Sequence, residues 1–97
     1  MNPSDETAIQ FLDSRIRALG KHVHLTASEF KVLVRLSQNM GHICSRMFLL
    51  HALDRDDSGD ISAVDQFISR LRDKLEENPH NPAFIRNAGD KGYMLLV

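Results

Sequence analysis

The sequence predicts an α+β domain in which a small N-terminal antiparallel β-sheet is followed by a three-helix core and a C-terminal β-hairpin. Three observations point there. Thr26-Ala27-Ser28-Glu29 forms a capping box that opens a helical run. From Ile61 onward, apolar residues fall on one stripe at helical period. The chain then ends on two short apolar stretches around Gly89-Asp90-Lys91-Gly92, the pattern of a hairpin. With 97 residues, 42% of them apolar and 26% charged, there is material for one modest core. Residues 1–7 read as a polar tail or linker remnant and 8–97 as the domain.

Each element follows from local chemistry. Ala8-Ile9-Gln10-Phe11 and Ile16-Arg17-Ala18-Leu19 are short apolar-polar mixtures separated by Asp13 and Ser14. Gly20-Lys21 then turns the chain into His22-Val23-His24-Leu25, so these stretches read as the strands of the small sheet. Thr26 caps the first helix, Leu25 and Phe30 can staple it, and Phe30, Leu33, Val34, Leu36 and Met40 form its apolar stripe. Gly41 suits the left-handed residue that ends it. Ser45 caps a second helix with Phe48, Leu49, Leu50 and Leu53 toward the core. Ser62, with Asp65 three residues on, opens a third helix of about residues 62–77, which Asn78-Pro79 and Asn81-Pro82 stop. Ile61, Val64, Ile68, Leu71 and Leu75 share its buried stripe, while Gln66, Arg70, Asp73 and Lys74 point the other way. Residues 83–97 form the hairpin, and three helices followed by a hairpin make a winged helix.

Composition narrows the function. No apolar run approaches the roughly 20 residues of a membrane span, and the polar start lacks the regions of a signal peptide. A cytoplasmic protein is expected. Cys44 is the only cysteine and reads as a small buried hydrophobe. The five histidines have no metal spacing and Cys44 has no evident base, so no enzymatic activity, metal or cofactor is expected. The formal net charge of -1 is unlike that of a typical phosphate binder. However, residues 54–65 hold five aspartates and one arginine, net -4, which leaves +3 on the remainder.

The run Leu25-Thr26, Glu29-Phe30, Leu33, Gly41, Ser45-Arg46, Leu49-Leu50, Val64-Asp65, Ile68-Ser69-Arg70-Leu71-Arg72, Lys74-Leu75, Asn81-Pro82, Ile85-Arg86 and Gly92-Tyr93 resembles the effector domain of OmpR/PhoB-type response regulators. That resemblance implies a winged helix-turn-helix that binds double-stranded DNA in bacterial transcription regulation within a two-component system. The third helix would lie in the major groove and the hairpin would act as the wing. It also implies two copies, a homodimer on DNA, on tandem direct repeats. Carried over by position, Arg70 matches the base-reading arginine, and Ser62, Gln66, Ser69, Asp73 and Lys74 match other DNA-facing positions. Arg46 matches a phosphate contact at the start of the second helix, and Asn87, Lys91 and Tyr93 match wing positions. The residue types agree for Arg70, which can fork onto guanine or phosphate, and for Lys74, which can sit on phosphate. Arg72 lies on the flank of the buried stripe, where it can pair with Asp65 or Glu29 or contact phosphate. Phe67 stands where many relatives have histidine, and Gly89 and Asp90 where an arginine and a glycine are common.

Residues 54–65 also match an EF-hand calcium loop, with Gly59 sixth and Ile61 eighth, but the twelfth position is the short Asp65 and no second loop pairs with it. The segment 54–61 reads instead as a contact for RNA polymerase or for the neighbouring copy. EF-hand-like calcium binding at 54–65 and a winged helix used only for protein contacts stand as the alternatives.

Overall fold

The computed structural model describes residues 3–53 and 60–96. In chain order these form α1 (Pro3–Leu19), α2 (Ala27–Gln38), α3 (Arg46–Leu50), α4 (Ile61–Leu75), β1 (Ile85–Asn87) and β2 (Tyr93–Leu95).

The expected N-terminal sheet is absent from the described residues, and a 17-residue helix stands in its place. Ala8, Phe11, Leu12 and Arg15 recur at intervals of three and four, which is a helical period. Ala8 and Phe11 are buried, while Asp13 and Ser14, which suggested a break between strands, lie on the exposed side of a continuous helix. Gly20, at φ 63°, ends it with its N–H on the Ile16 carbonyl. Residues 22–25 are an extended lead into α2, and Val23 and Leu25 pack against the core.

The capping box forms as expected. The Glu29 N–H donates to Thr26 Oγ1 at 3.2 Å and the Thr26 N–H to Glu29 Oε1 at 2.7 Å. Val32, Leu33 and Leu36 are fully buried in α2, whereas Phe30, Val34 and Met40 pack only partly against the core. The helix ends at Gln38, before Gly41, whose φ of 80° serves the following turn and whose N–H reaches the Leu95 carbonyl at 2.9 Å. Ser45 caps α3 by accepting from the Phe48 N–H at 3.1 Å. Leu49 and Leu53 are core, while Phe48 and Leu50 are half-buried.

The cap of α4 is Asp60 and not Ser62: Asp60 accepts from the Ser62 N–H at 2.9 Å, and the Ser62 hydroxyl also turns to its carboxylate. An aspartate one residue before the helix satisfies the amide of the second helical residue, which is the geometry of a cap. Val64, Ile68, Leu71 and Leu75 are buried, and each removes a side chain from water at a gain of roughly 1.5–3 kcal/mol. Ile61, expected on this stripe, is 40% exposed in the first turn. The helix ends at Leu75 rather than near Asn78 because Glu76 turns to ψ 142° and points its carboxylate into the following loop.

The hairpin pairs Ile85 with Leu95, Arg86 with Met94 and Asn87 with Tyr93. Cys44 adds one bridge on the other edge of β2: its N–H donates to the Tyr93 carbonyl at 2.8 Å and its carbonyl accepts from the Tyr93 N–H at 2.9 Å. The turn between α2 and α3 is thereby tied to the hairpin. Phe11 of α1 meets Phe84 edge to face at 5.6 Å, and Arg15 lies over the same ring while its Nε–H donates to the Leu75 carbonyl at 2.9 Å. Cys44 is buried, and burial pushes its thiol above the ordinary range.

Candidate nucleic-acid interface

Burying Val64, Ile68, Leu71 and Leu75 turns the opposite side of α4 to solvent. Ser62, Gln66, Ser69, Arg70 and Asp73 are exposed there. The Arg70 guanidinium sits 5.5 Å over the half-buried Phe67 ring, so an aromatic face supports the cation one turn from its own backbone. Phe67 thus has a local role as the support of the Arg70 cation.

Lys74 turns away from this group. Its Nζ donates to Glu29 Oε1 at 2.6 Å, and Glu29 is fully buried. Burial pushes the Glu29 carboxyl up, but Lys74 and the Thr26 donors outweigh it and hold the group below the usual carboxylate range. Its second oxygen, Oε2, is buried without a hydrogen-bond partner among the described residues. Replacing Lys74 with methionine is therefore expected to lower folding stability by about 2 kcal/mol, read by urea denaturation, because it strands a buried carboxylate. The loss is expected near neutral pH and shrinks in acid. A carboxyl with a lowered folded pKa stabilises above its unfolded value of about 4 and gives that up as pH falls through the folded value.

Arg72 takes neither of the carboxylates open to it. Its Nε–H donates to the Ile85 carbonyl at 2.9 Å and its Nη2 to Asn87 Oδ1 at 2.5 Å, with the guanidinium 5.5 Å over the Tyr93 ring. It clamps α4 to β1, and in doing so fixes Asn87.

Asp65 is held by Arg46 at 2.8 Å and by the Tyr93 hydroxyl, both on Oδ1, and the Arg46 guanidinium also lies 5.5 Å over the Tyr93 ring. Burial raises the Asp65 pKa, yet the Tyr93 and Arg46 hydrogen bonds leave it lowered. Tyr93 is raised, by burial and by the carboxylate beside it, and Arg46 is raised by its bond to Asp65. This trio joins the start of α3, the first turns of α4 and β2. Arg46 is thus anchored with part of its surface open, and Tyr93 is 5% exposed. For Asp65 to serve as the bidentate last ligand of a calcium loop, its Oδ1 would have to give up these bonds. The first six positions of that motif, and most of the loop read as a polymerase contact, fall on residues 54–59, outside the described residues. Among the described residues no group of three or more His, Cys, Asp or Glu side chains could hold a metal ion.

At the tip, Lys91 and Asp90 are exposed, and Gly89 has a φ of 59° that a side chain would strain. The sequence reading missed Glu76, whose carboxylate accepts from the N–H groups of Ala83, Phe84 and Ile85 and so shapes the loop between α4 and β1. It carried no signal, since the acceptors' partners lie seven to nine residues away.

A helix-turn-helix tied to a hairpin, with one face of its last helix free, defines a winged helix-turn-helix domain. Residues 20–95 match the family model described as "Transcriptional regulatory protein, C terminal". The chain belongs to this family, as an effector domain of the OmpR/PhoB type, which is a DNA-binding regulatory domain and not an enzyme. It is also similar to the crystal structure of the response regulator DrrB of Thermotoga maritima, described as an OmpR/PhoB homolog, with a TM-score of 0.72 and 33% identity. That match covers 80% of this chain and 36% of DrrB, so the present chain spans little more than a third of its relative. No helix among the described residues is long and apolar enough to cross a membrane.

Proposed function

We propose that the domain binds double-stranded DNA sequence-selectively, with α4 in the major groove and the hairpin beside it as a wing. The observation that carries this reading is the division of α4: four buried residues and the Arg72 clamp hold it rigidly, while Gln66, Ser69, Arg70 and Asp73 face outward together. An α-helix fits the major groove, where an arginine can fork onto guanine and a glutamine can pair with adenine. Arg46 and Lys91 would hold phosphates, and Asp73 can accept from a cytosine amino group. One small domain offers few phosphate contacts, so two copies bind tandem direct half-sites about one helical turn apart. The acidic segment 54–61 would face RNA polymerase or the adjacent copy.

Enrichment from a random duplex pool tests the reading. Arg70→Ala is expected to cost roughly 1–3 kcal/mol of specific binding and to flatten preference at one base pair, measured by fluorescence anisotropy. Equal losses on specific and unrelated duplexes would reduce Arg70 to a phosphate contact. A pool that yields no motif would favour protein docking instead, for which the exposed Ile43 and Met47 offer an apolar surface.

A further inference from the structure

Between the C-terminal half of α4 and the outer side of β1 lies an open cleft of about 460 Å³ lined by Arg72, Pro79, His80, Pro82, Arg86 and Asn87. None of these residues is acidic. Both guanidiniums are already oriented: Arg72 is fixed through its Nε and Nη2, and the Arg86 Nε–H donates to the Ala83 carbonyl at 3.1 Å. The Arg72 Nη1 edge and both Arg86 terminal nitrogens have no hydrogen-bond partner among the described residues. His80 is held by its own N–H on Asn78 Oδ1 at 3.1 Å, and two prolines stiffen the loop that carries it. A concave site with fixed cationic donors and no competing carboxylate fits an oxyanion.

We propose that this cleft seats a phosphodiester of the duplex backbone, with Arg86 and His80 as contacts additional to Arg72. The inference rests on the DNA-binding reading above. If α4 lies in one groove and the hairpin tip approaches the next, the strand between the grooves passes between helix and hairpin. The cleft draws Arg72 from α4 and Arg86 and Asn87 from β1, the two elements that strand would pass between. Because a phosphate carries no base identity, the site sets register and affinity and not sequence preference.

The test uses the selected duplex and a set of copies, each with one backbone phosphate replaced by a neutral methylphosphonate. Arg86→Gln is expected to weaken binding to the selected and to an unrelated duplex by the same factor, roughly five-fold, and to lower the salt slope by about one ion. Arg86→Lys should recover much of the loss. One methylphosphonate should weaken the wild type while leaving the Arg86→Gln protein unchanged. His80→Gln, at an exposed loop position, is the second probe and should point to the same or the adjacent phosphate. If the wild type binds the duplex and neither variant changes affinity or salt slope, the cleft is not a backbone seat. Amide shifts of residues 79–87 on adding inorganic phosphate, with duplex binding unaffected by either variant, would assign the cleft to a free anion and overturn the proposal. Failure of the wild type to bind any duplex would remove the DNA reading itself.

Discussion

Replacing Gly92 with alanine is expected to destabilise the domain by more than about 4 kcal/mol, seen as a large fall in the urea midpoint or as failure to fold. A Cβ on Gly92 would stand 2.8 Å from the Cys44 carbonyl carbon and 2.9 Å from Ser45 Cα, and closer still to the Cys44 carbonyl oxygen. All three are backbone atoms, held by the two hydrogen bonds that Cys44 exchanges with Tyr93, so no side chain can move aside. The φ of 140° adds strain of roughly 1–3 kcal/mol for any residue with a Cβ. Gly89→Ala is the control. Its φ is also positive, but a Cβ there meets nothing within 4 Å, so it should cost no more than the backbone strain alone. Equal effects at the two positions would mean that the Cys44 bridge is not rigid.

Glu76→Ala is expected to cost about 3–5 kcal/mol, measured in the same way. The side chain is 2% exposed, and it is the shared acceptor for three successive amides at the start of the hairpin. Charged hydrogen bonds contribute roughly 1.5–3 kcal/mol each, and they are not fully additive on one carboxylate. Glu76→Gln keeps the shape and one oxygen and should recover part of the loss. Full stability in the alanine variant would show that water satisfies these amides equally well.

What could be read in advance was local or periodic. The Thr26 box, the Ser45 cap and the Val64 to Leu75 stripe depend on residues within one or two turns of each other, and all three form as expected. The error at residues 8–19 came from dividing one helix at Asp13-Ser14, where polarity marks the solvent face of a helix as readily as the end of a strand. Partner choice was not legible. Arg72 had two carboxylates, Asp65 and Glu29, within plausible reach, while Arg46 and Lys74 were read as phosphate contacts. Only the packed geometry assigns Asp65 to Arg46, Glu29 to Lys74 and a backbone carbonyl to Arg72. Glu76 was invisible for the same reason, since a carboxylate followed by a proline-rich loop reads as a solvated helix end.

The first helix carries a consequence for where this domain begins. The family match starts at residue 20, yet Ala8 and Phe11 lie inside the core, Phe11 shields Phe84, and Arg15 caps the carbonyl at the end of α4. A protein trimmed to the recognisable segment would uncover an aromatic ring and orphan a helix terminus beside the loop that leads to the hairpin. The packed unit is therefore longer than the segment by which its kinship is detected, and a transplant of this module onto another regulator should carry its leading helix with it.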